Sequence, residues 1–200
     1  MDAFIELFLT LFFLLTPFFV LSVFLGMTAT WEAPRRRALA LRTTAAVLVI
    51  CLLLFFAGNA LFAVLGITVD AFRVGAGALM FLAAADMVRG RDQPAPTSDA
   101  GEAIAVVPLA IPITVGPGTT GALLVLGAER SDLATTLTRC AALAAAVVAV
   151  GVILLAGSAM RRALGGAGMA VLSRLSGLFL AALAAQMVML GARNLLAAPV

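Results

Sequence analysis

The sequence predicts an all-α polytopic membrane protein with six transmembrane helices, built as two inverted three-helix repeats whose first and fourth helices break at midplane. Three observations carry this expectation. The 200 residues are 64% hydrophobic and only 12% charged, where soluble domains sit near half apolar and a quarter charged. The apolar residues fall in six runs close to membrane-spanning length. The two halves of the chain also match each other feature by feature.

The spans read in order as Ala3 to Met27, Leu39 to Leu65, Val74 to Val88, Ala103 to Gly127, Cys140 to Ala159 and Leu175 to Ala192. A water-soluble fold of this size could not hide so much apolar surface, so lipid must cover it. The N-terminus carries Asp2 and Glu6 and no base before its apolar run, so the first run reads as a retained helix and not as a signal peptide. Cys51 and Cys140 lie in or beside apolar runs and read as buried free thiols, with a disulfide pair as the alternative.

Every basic residue is an arginine, and the arginines are unevenly placed. The connections after spans one, three and five, with their margins, hold Arg35, Arg36, Arg37, Arg42, Arg89, Arg91, Arg161, Arg162 and Arg174; the other side holds Arg73, Arg130, Arg139 and Arg193. Nine against four puts the first set in the cytoplasm and both termini outside it. Short arginine clusters between apolar runs are a topology signal, and they exclude a nucleic-acid partner.

One hundred positions separate matching features of the two halves. Pro17 falls on Pro117, Gly77 on Gly177, and Ala84-Ala85-Asp86-Met87-Val88 on Ala184-Ala185-Gln186-Met187-Val188. Three helices is an odd number, so the second copy enters from the opposite face, as in the inverted repeats of secondary transporters. Residues 1–200 then form one membrane domain: repeats at 1–88 and 103–200, joined by a cytoplasmic link at 89–102.

Transporter sites of this kind lie where paired helices are broken. Thr16-Pro17 interrupts the first helix; Gly116-Pro117-Gly118 interrupts the fourth, which also carries Pro108 and Pro112. Proline lacks an N–H and crowds the carbonyl four residues back, so Pro17, Pro117 and Pro112 should free the carbonyls of Phe13, Ile113 and Pro108. Thr16-Pro17 reads as N-cap and first residue of a new half-helix, and Gly116-Pro117 followed by Gly118, Thr119 and Thr120 reads likewise. Half-helix N-termini suit a carboxylate and freed carbonyls suit an ammonium group. A small zwitterion matches that pattern, and the glycines would let backbone approach it. The expected binding set is Thr16, Pro17, Pro112, Thr114, Gly116, Pro117, Gly118, Thr119 and Thr120. Asp86 is the one candidate coupling carboxylate, or else an interfacial partner of Arg89. No cofactor or metal is implied.

The stretch Val106 to Thr120, VVPLAIPITVGPGTT, resembles the fourth-helix motif of the MarC family, also described as small neutral amino acid transporters. Phe72 to Met87, FRVGAGALMFLAAADM, is similar to that family's third-helix motif. The resemblance extends over nearly the whole chain. It implies carriage of glycine, alanine and similar amino acids by a site between broken helices one and four, here Pro17, Pro112, Gly116, Pro117 and Gly118. The first helix departs from the family pattern of Asn-Pro, Gly and a second Pro: Phe18, Phe19 and Val20 follow Pro17, and Ser22 stands where the second Pro would be. That suits a narrower site or another substrate.

The leading expectation is therefore a secondary carrier of a small neutral solute in the cell membrane, with protons as the candidate coupling ion. A LysE-type exporter of a cationic amino acid would want an embedded acid, and Asp86 alone qualifies. An intramembrane enzyme finds no support: without histidine there is no Ser–His dyad, and an aspartyl dyad lacks its second carboxylate. A non-transporting scaffold would not need matched midplane breaks.

Overall fold

The computed structural model describes residues 2–90, 109–110, 113–129 and 131–197, and among these it is all-helical. Seven helices follow in order: α1 (Asp2–Leu14), α2 (Pro17–Met27), α3 (Ala33–Leu65), α4 (Val69–Arg89), α5 (Pro117–Ala128), α6 (Leu133–Leu155) and α7 (Gly157–Ala197). Five apolar stretches are long enough to cross a membrane: 4–27, which runs through the α1–α2 break, 33–58, 69–89, 133–155 and 157–197. The expected link at 89–102 and the start of the fourth span lie outside the described residues.

Local chemistry sets the ends. Pro34 stands in the first turn of α3, where its missing N–H costs nothing. Thr68 caps α4 by accepting from the Ala71 N–H at 3.2 Å, and Asp132 caps α6 by accepting from the Thr135 N–H at 3.3 Å. These two bonds satisfy N–H groups that a helix start leaves open. The Thr135 side chain first, and then the backbone N–H groups, also favour the Asp132 anion and hold its carboxyl below the usual range.

The helices run past the expected boundaries where polar residues begin. The third span starts at Val69 and the fifth at Leu133, because threonine and aspartate caps sit there. The stretch from Met160 to Arg174, expected as a connection, is helical and belongs to α7. Arginine is a good helix former, so Arg161 and Arg162 continue the helix that an apolar count would end. Only Gly165 breaks it, with φ 63 and ψ −179, a conformation open to glycine alone.

The most extensive helix pairing joins α4 to α7. Its contacts are reciprocal. A Cβ on Gly77 would meet the Ala184 carbonyl and the Val188 side chain, and a Cβ on Gly177 would meet the Ala84 carbonyl and the Val88 side chain. Small residues here let backbones approach, as in membrane helix interfaces generally. The central core draws on Leu11, Leu14 and Leu15, on Val47, Cys51 and Phe55, and on Met80, Leu123, Leu143, Val147 and Leu180. Outside it Leu53, Phe56, Leu82, Val152, Phe179 and Met189 are exposed, an apolar belt suited to lipid and not to water. Cys51 and Cys140 are both free thiols; Cys51 is buried as expected, whereas Cys140 is only half-buried.

One end of the bundle is closed by charge. Arg73 of α4 pairs with Asp70 at 2.7 Å and with Glu129, just past α5; Glu129 also receives Arg139 of α6 at 3.0 Å. Asn194 of α7 donates to Asp70 at 3.1 Å. Both arginine side chains are largely buried while Glu129 is partly open to solvent, so screening lowers the value of each pair. The Glu129→Gln variant should lose roughly 1–2 kcal/mol. Thermal unfolding in detergent should show a Tm lower by a few degrees, and an unchanged Tm would mean that this cluster contributes nothing to closure.

Candidate functional site

The two sequence breaks are real and they meet. At the first, α1 stops at Leu14, and Thr16 takes a left-handed conformation, φ 46 and ψ 55, before Pro17 opens α2. A residue before proline is pushed out of the helical region, and for a β-branched side chain positive φ is strained. Strain of this kind costs on the order of 1–3 kcal/mol and gathers where function needs a fixed backbone.

At the second break, Val115 donates to the Ala110 carbonyl at 2.8 Å, five residues back, and the Thr114 hydroxyl donates to the Leu109 carbonyl at 2.7 Å. This wide turn ends at Gly116, and Pro117 opens α5. Such π turns are rare and often mark functional positions.

Among the described residues one hydrogen bond joins the breaks. The Thr119 hydroxyl, in the first turn of α5, donates to the Leu14 carbonyl at the end of α1, at 3.1 Å. Leu14 is left open because the chain turns away at Thr16. The carbonyl expected to be freed by Pro17, that of Phe13, is not free: it accepts from the Thr16 N–H at 3.0 Å, three residues on. The break tightens there by one residue and moves the open acceptor to Leu14. The Ile113 carbonyl has no donor among the described residues, as expected. Pro112 and Pro108 lie outside the described residues.

Each half-helix presents donors. The Val20 N–H reaches the Thr16 carbonyl and the Thr120 N–H reaches the Gly116 carbonyl, at 3.0 and 2.9 Å. The N–H groups of Phe18 and Phe19, and of Gly118 and Thr119, precede those bonds and have no acceptor among the described residues. Neither Thr16 nor Gly116 caps its helix with a side chain. Two helix starts with open donors therefore lie in the middle of the fold, in surroundings where Thr16, Pro17, Thr114, Gly118 and Thr119 are buried and Gly116 and Thr120 half-buried.

The structure changes the reading of two residues. Gly118 does not face open space: a Cβ there would sit 2.6 Å from the Met80 Cβ of α4, and one on Gly121 would sit 2.2 Å from the Ala76 Cβ. These glycines seat α5 on α4, and what Gly118 offers a guest is its N–H. Asp86 is exposed on α4 and does not join the breaks. It lies six residues beyond Met80, about 9 Å along the helix. No ion pair with Arg89 is present among the described residues.

Phe18 turns edge-on to Phe12, 6.4 Å between centroids, and Ser22 donates to the Phe18 carbonyl at 3.0 Å. Phe19 packs against the central core. The sequence reading missed Thr43 of α3 and Ser173 of α7, whose buried hydroxyls have no partner among the described residues. Lone hydroxyls in apolar helices give no signal beforehand, although a buried unpaired hydroxyl is uncommon enough to demand an explanation.

The chain matches the family model for MarC family integral membrane proteins over residues 1–196. It is similar to a UPF0056 membrane protein of Methanocaldococcus jannaschii, 32% identical over 98% of this chain and 98% of that one. It is also similar to the inner membrane protein YhgN of Escherichia coli, 32% identical over 96% of this chain and 98% of the other. No solved structure gives a significant match.

Proposed function

Because the chain belongs to the MarC family of integral membrane proteins, we propose that it is a secondary carrier of a small neutral solute, of the size of glycine or alanine, working by alternating access around the two helix breaks. The observation that carries this reading is the bond from Thr119 to the Leu14 carbonyl, which brings two interrupted helices together in the core. A guest carboxylate would take the open N–H groups of Phe18, Phe19, Gly118 and Thr119, and a guest ammonium the Ile113 carbonyl. The binding set is Thr16, Pro17, Pro112, Thr114, Gly116, Pro117, Gly118, Thr119 and Thr120. Among the described residues no acid joins it, so a zwitterion fits better than a cation.

The reciprocal contacts of Gly77 and Gly177 support the inverted arrangement of repeats 1–88 and 103–200 about an axis between α4 and α7. With the arginine-rich ends in the cytoplasm both termini lie outside it, and the inner membrane location in the name of the Escherichia coli relative fits the same placement. Asp86 would act on protons at a distance from the solute, so Asp86→Asn should change the proton dependence of uptake and leave apparent affinity alone.

Proteoliposomes carrying the purified chain should take up labelled glycine or alanine, with unlabelled glycine competing. A proton gradient of one polarity should raise the rate. Failure to move either amino acid under both polarities would refute the carrier reading. Movement of labelled lysine without glycine would favour a cationic exporter in its place.

A further inference from the structure

At the end of the bundle opposite the Glu129 cluster, an open cleft of about 510 Å³ lies between the end of α2 and the starts of α3 and α7. It is lined by Leu25, Ala29, Arg36, Ser158, Arg161 and Arg162. We propose that this cleft is a binding site for an anionic phosphate group, with Arg36, Arg161 and Arg162 as its ligands.

Four observations carry it. The three arginines come from two helices and converge on one cavity, and none has an ion-pair or hydrogen-bond partner for its side chain among the described residues. Glu32, one turn before Arg36, does not pair with it. Among the described residues no carboxylate lines the cleft. Three like charges held together without a counter-ion among the described residues repel one another, and an anion that joined them would relieve that repulsion.

The opposite end shows the complement. There Glu129 neutralises Arg73 and Arg139. One hundred positions earlier the residue is Ala29, which lines the cleft. Glu129 supplies an anion at its end, whereas the residue that matches it in the first half carries no charge.

The setting selects the ligand. Guanidinium groups bind phosphate by paired hydrogen bonds and suit it better than a point charge does. The arginine distribution places this end at the cytoplasmic surface, where basic pockets between helices hold anionic headgroups. Trp31, with the Arg35 guanidinium 3.9 Å from its ring centroid, marks the same membrane–water level. Leu25 and Ala29 give the cleft an apolar wall for a glycerol backbone or the head of an acyl chain. The volume is that of an ordinary ligand site. A phospholipid headgroup and soluble phosphate share this chemistry.

The test uses the full chain in a non-ionic detergent, titrated with dioctanoyl phosphatidylglycerol, dioctanoyl phosphatidylcholine or inorganic phosphate, with Tm as the readout. Phosphatidylglycerol should raise Tm saturably and phosphatidylcholine should not. The variant Arg36→Gln/Arg161→Gln/Arg162→Gln should weaken the apparent affinity by about tenfold or more. The charge-matched control Arg37→Gln/Arg89→Gln/Arg174→Gln should leave it within about twofold.

A Tm rise with inorganic phosphate that the cleft variant abolishes would identify the soluble anion as the ligand and uphold the site. Equal affinity in the cleft variant, equal loss in the control, or no response to any anion would overturn it. If the triple variant does not fold, Arg36→Gln and Arg161→Gln alone serve. Each should keep the ligand-free Tm and lose affinity, and retention of full affinity in both would overturn the proposal.

Discussion

The Thr119→Val variant is expected to fold and to lose about nine-tenths of its uptake rate. Valine matches threonine in shape and replaces the hydroxyl with a methyl group, which cannot donate. The Leu14 carbonyl would then lie buried without a donor, a cost of about 1–3 kcal/mol. That is a modest fraction of the stability of a bundle with this core, so Tm should fall by a few degrees only. The consequence for transport is larger, because this bond is what sets one half-helix start against the other. If it is worth about 1.4 kcal/mol in the competent arrangement, its loss reduces the competent fraction about tenfold. Thr119→Ser restores the donor and should recover most of the rate. The pair separates a positional role from a loss of fold, since both variants can be compared at equal yield in proteoliposomes. Full uptake by Thr119→Val would show that the contact of the two breaks is incidental to transport.

How much of this was legible beforehand depends on how many residues each feature needs. A helix break is written locally: Thr16-Pro17 and Gly116-Pro117-Gly118 each remove a donor and relax the backbone within three residues, so their positions follow from sequence. The arginine asymmetry is likewise a sum over single residues. The acceptor freed by Pro17 depends instead on how the chain turns. It moved from Phe13 to Leu14 because the Thr16 N–H reached back three residues and not four. Neither the Thr119–Leu14 bond nor the Arg73–Glu129–Arg139 cluster leaves any local trace, because each joins residues far apart in the chain. Gly118 shows the same limit. A glycine beside a proline signals close approach, but only the packed helices tell that Met80 makes it.

The closest such approach predicts the most severe lesion. A Cβ on Gly127 would stand 1.7 Å from the Phe55 carbonyl oxygen and 2.7 Å from the carbonyl carbon. Both are backbone atoms within α3, so neither can swing aside as a side chain would. The same crossing is tight from the other side: a Cβ on Gly58 would stand 2.3 Å from the Leu124 carbonyl oxygen. One added methyl at Gly127 must therefore push α5 off α3. Overpacking a core costs about 1–3 kcal/mol where side chains can adjust, and backbone obstruction removes that relief. The damage should also reach the site, because α5 is a 12-residue half-helix whose first turn carries Gly118 against Met80 and Thr119 against Leu14. Gly127→Ala should give little monodisperse protein in detergent, and what survives should unfold at a much lower Tm. Gly75→Ala in α4 is the matched control. A Cβ there meets nothing within 4 Å, and alanine in a helix interior gains about 0.5–1 kcal/mol over glycine. Gly75→Ala should thus be as stable as the parent or more so, whereas equal yield and Tm for the two variants would mean that α3 and α5 do not cross at Gly127.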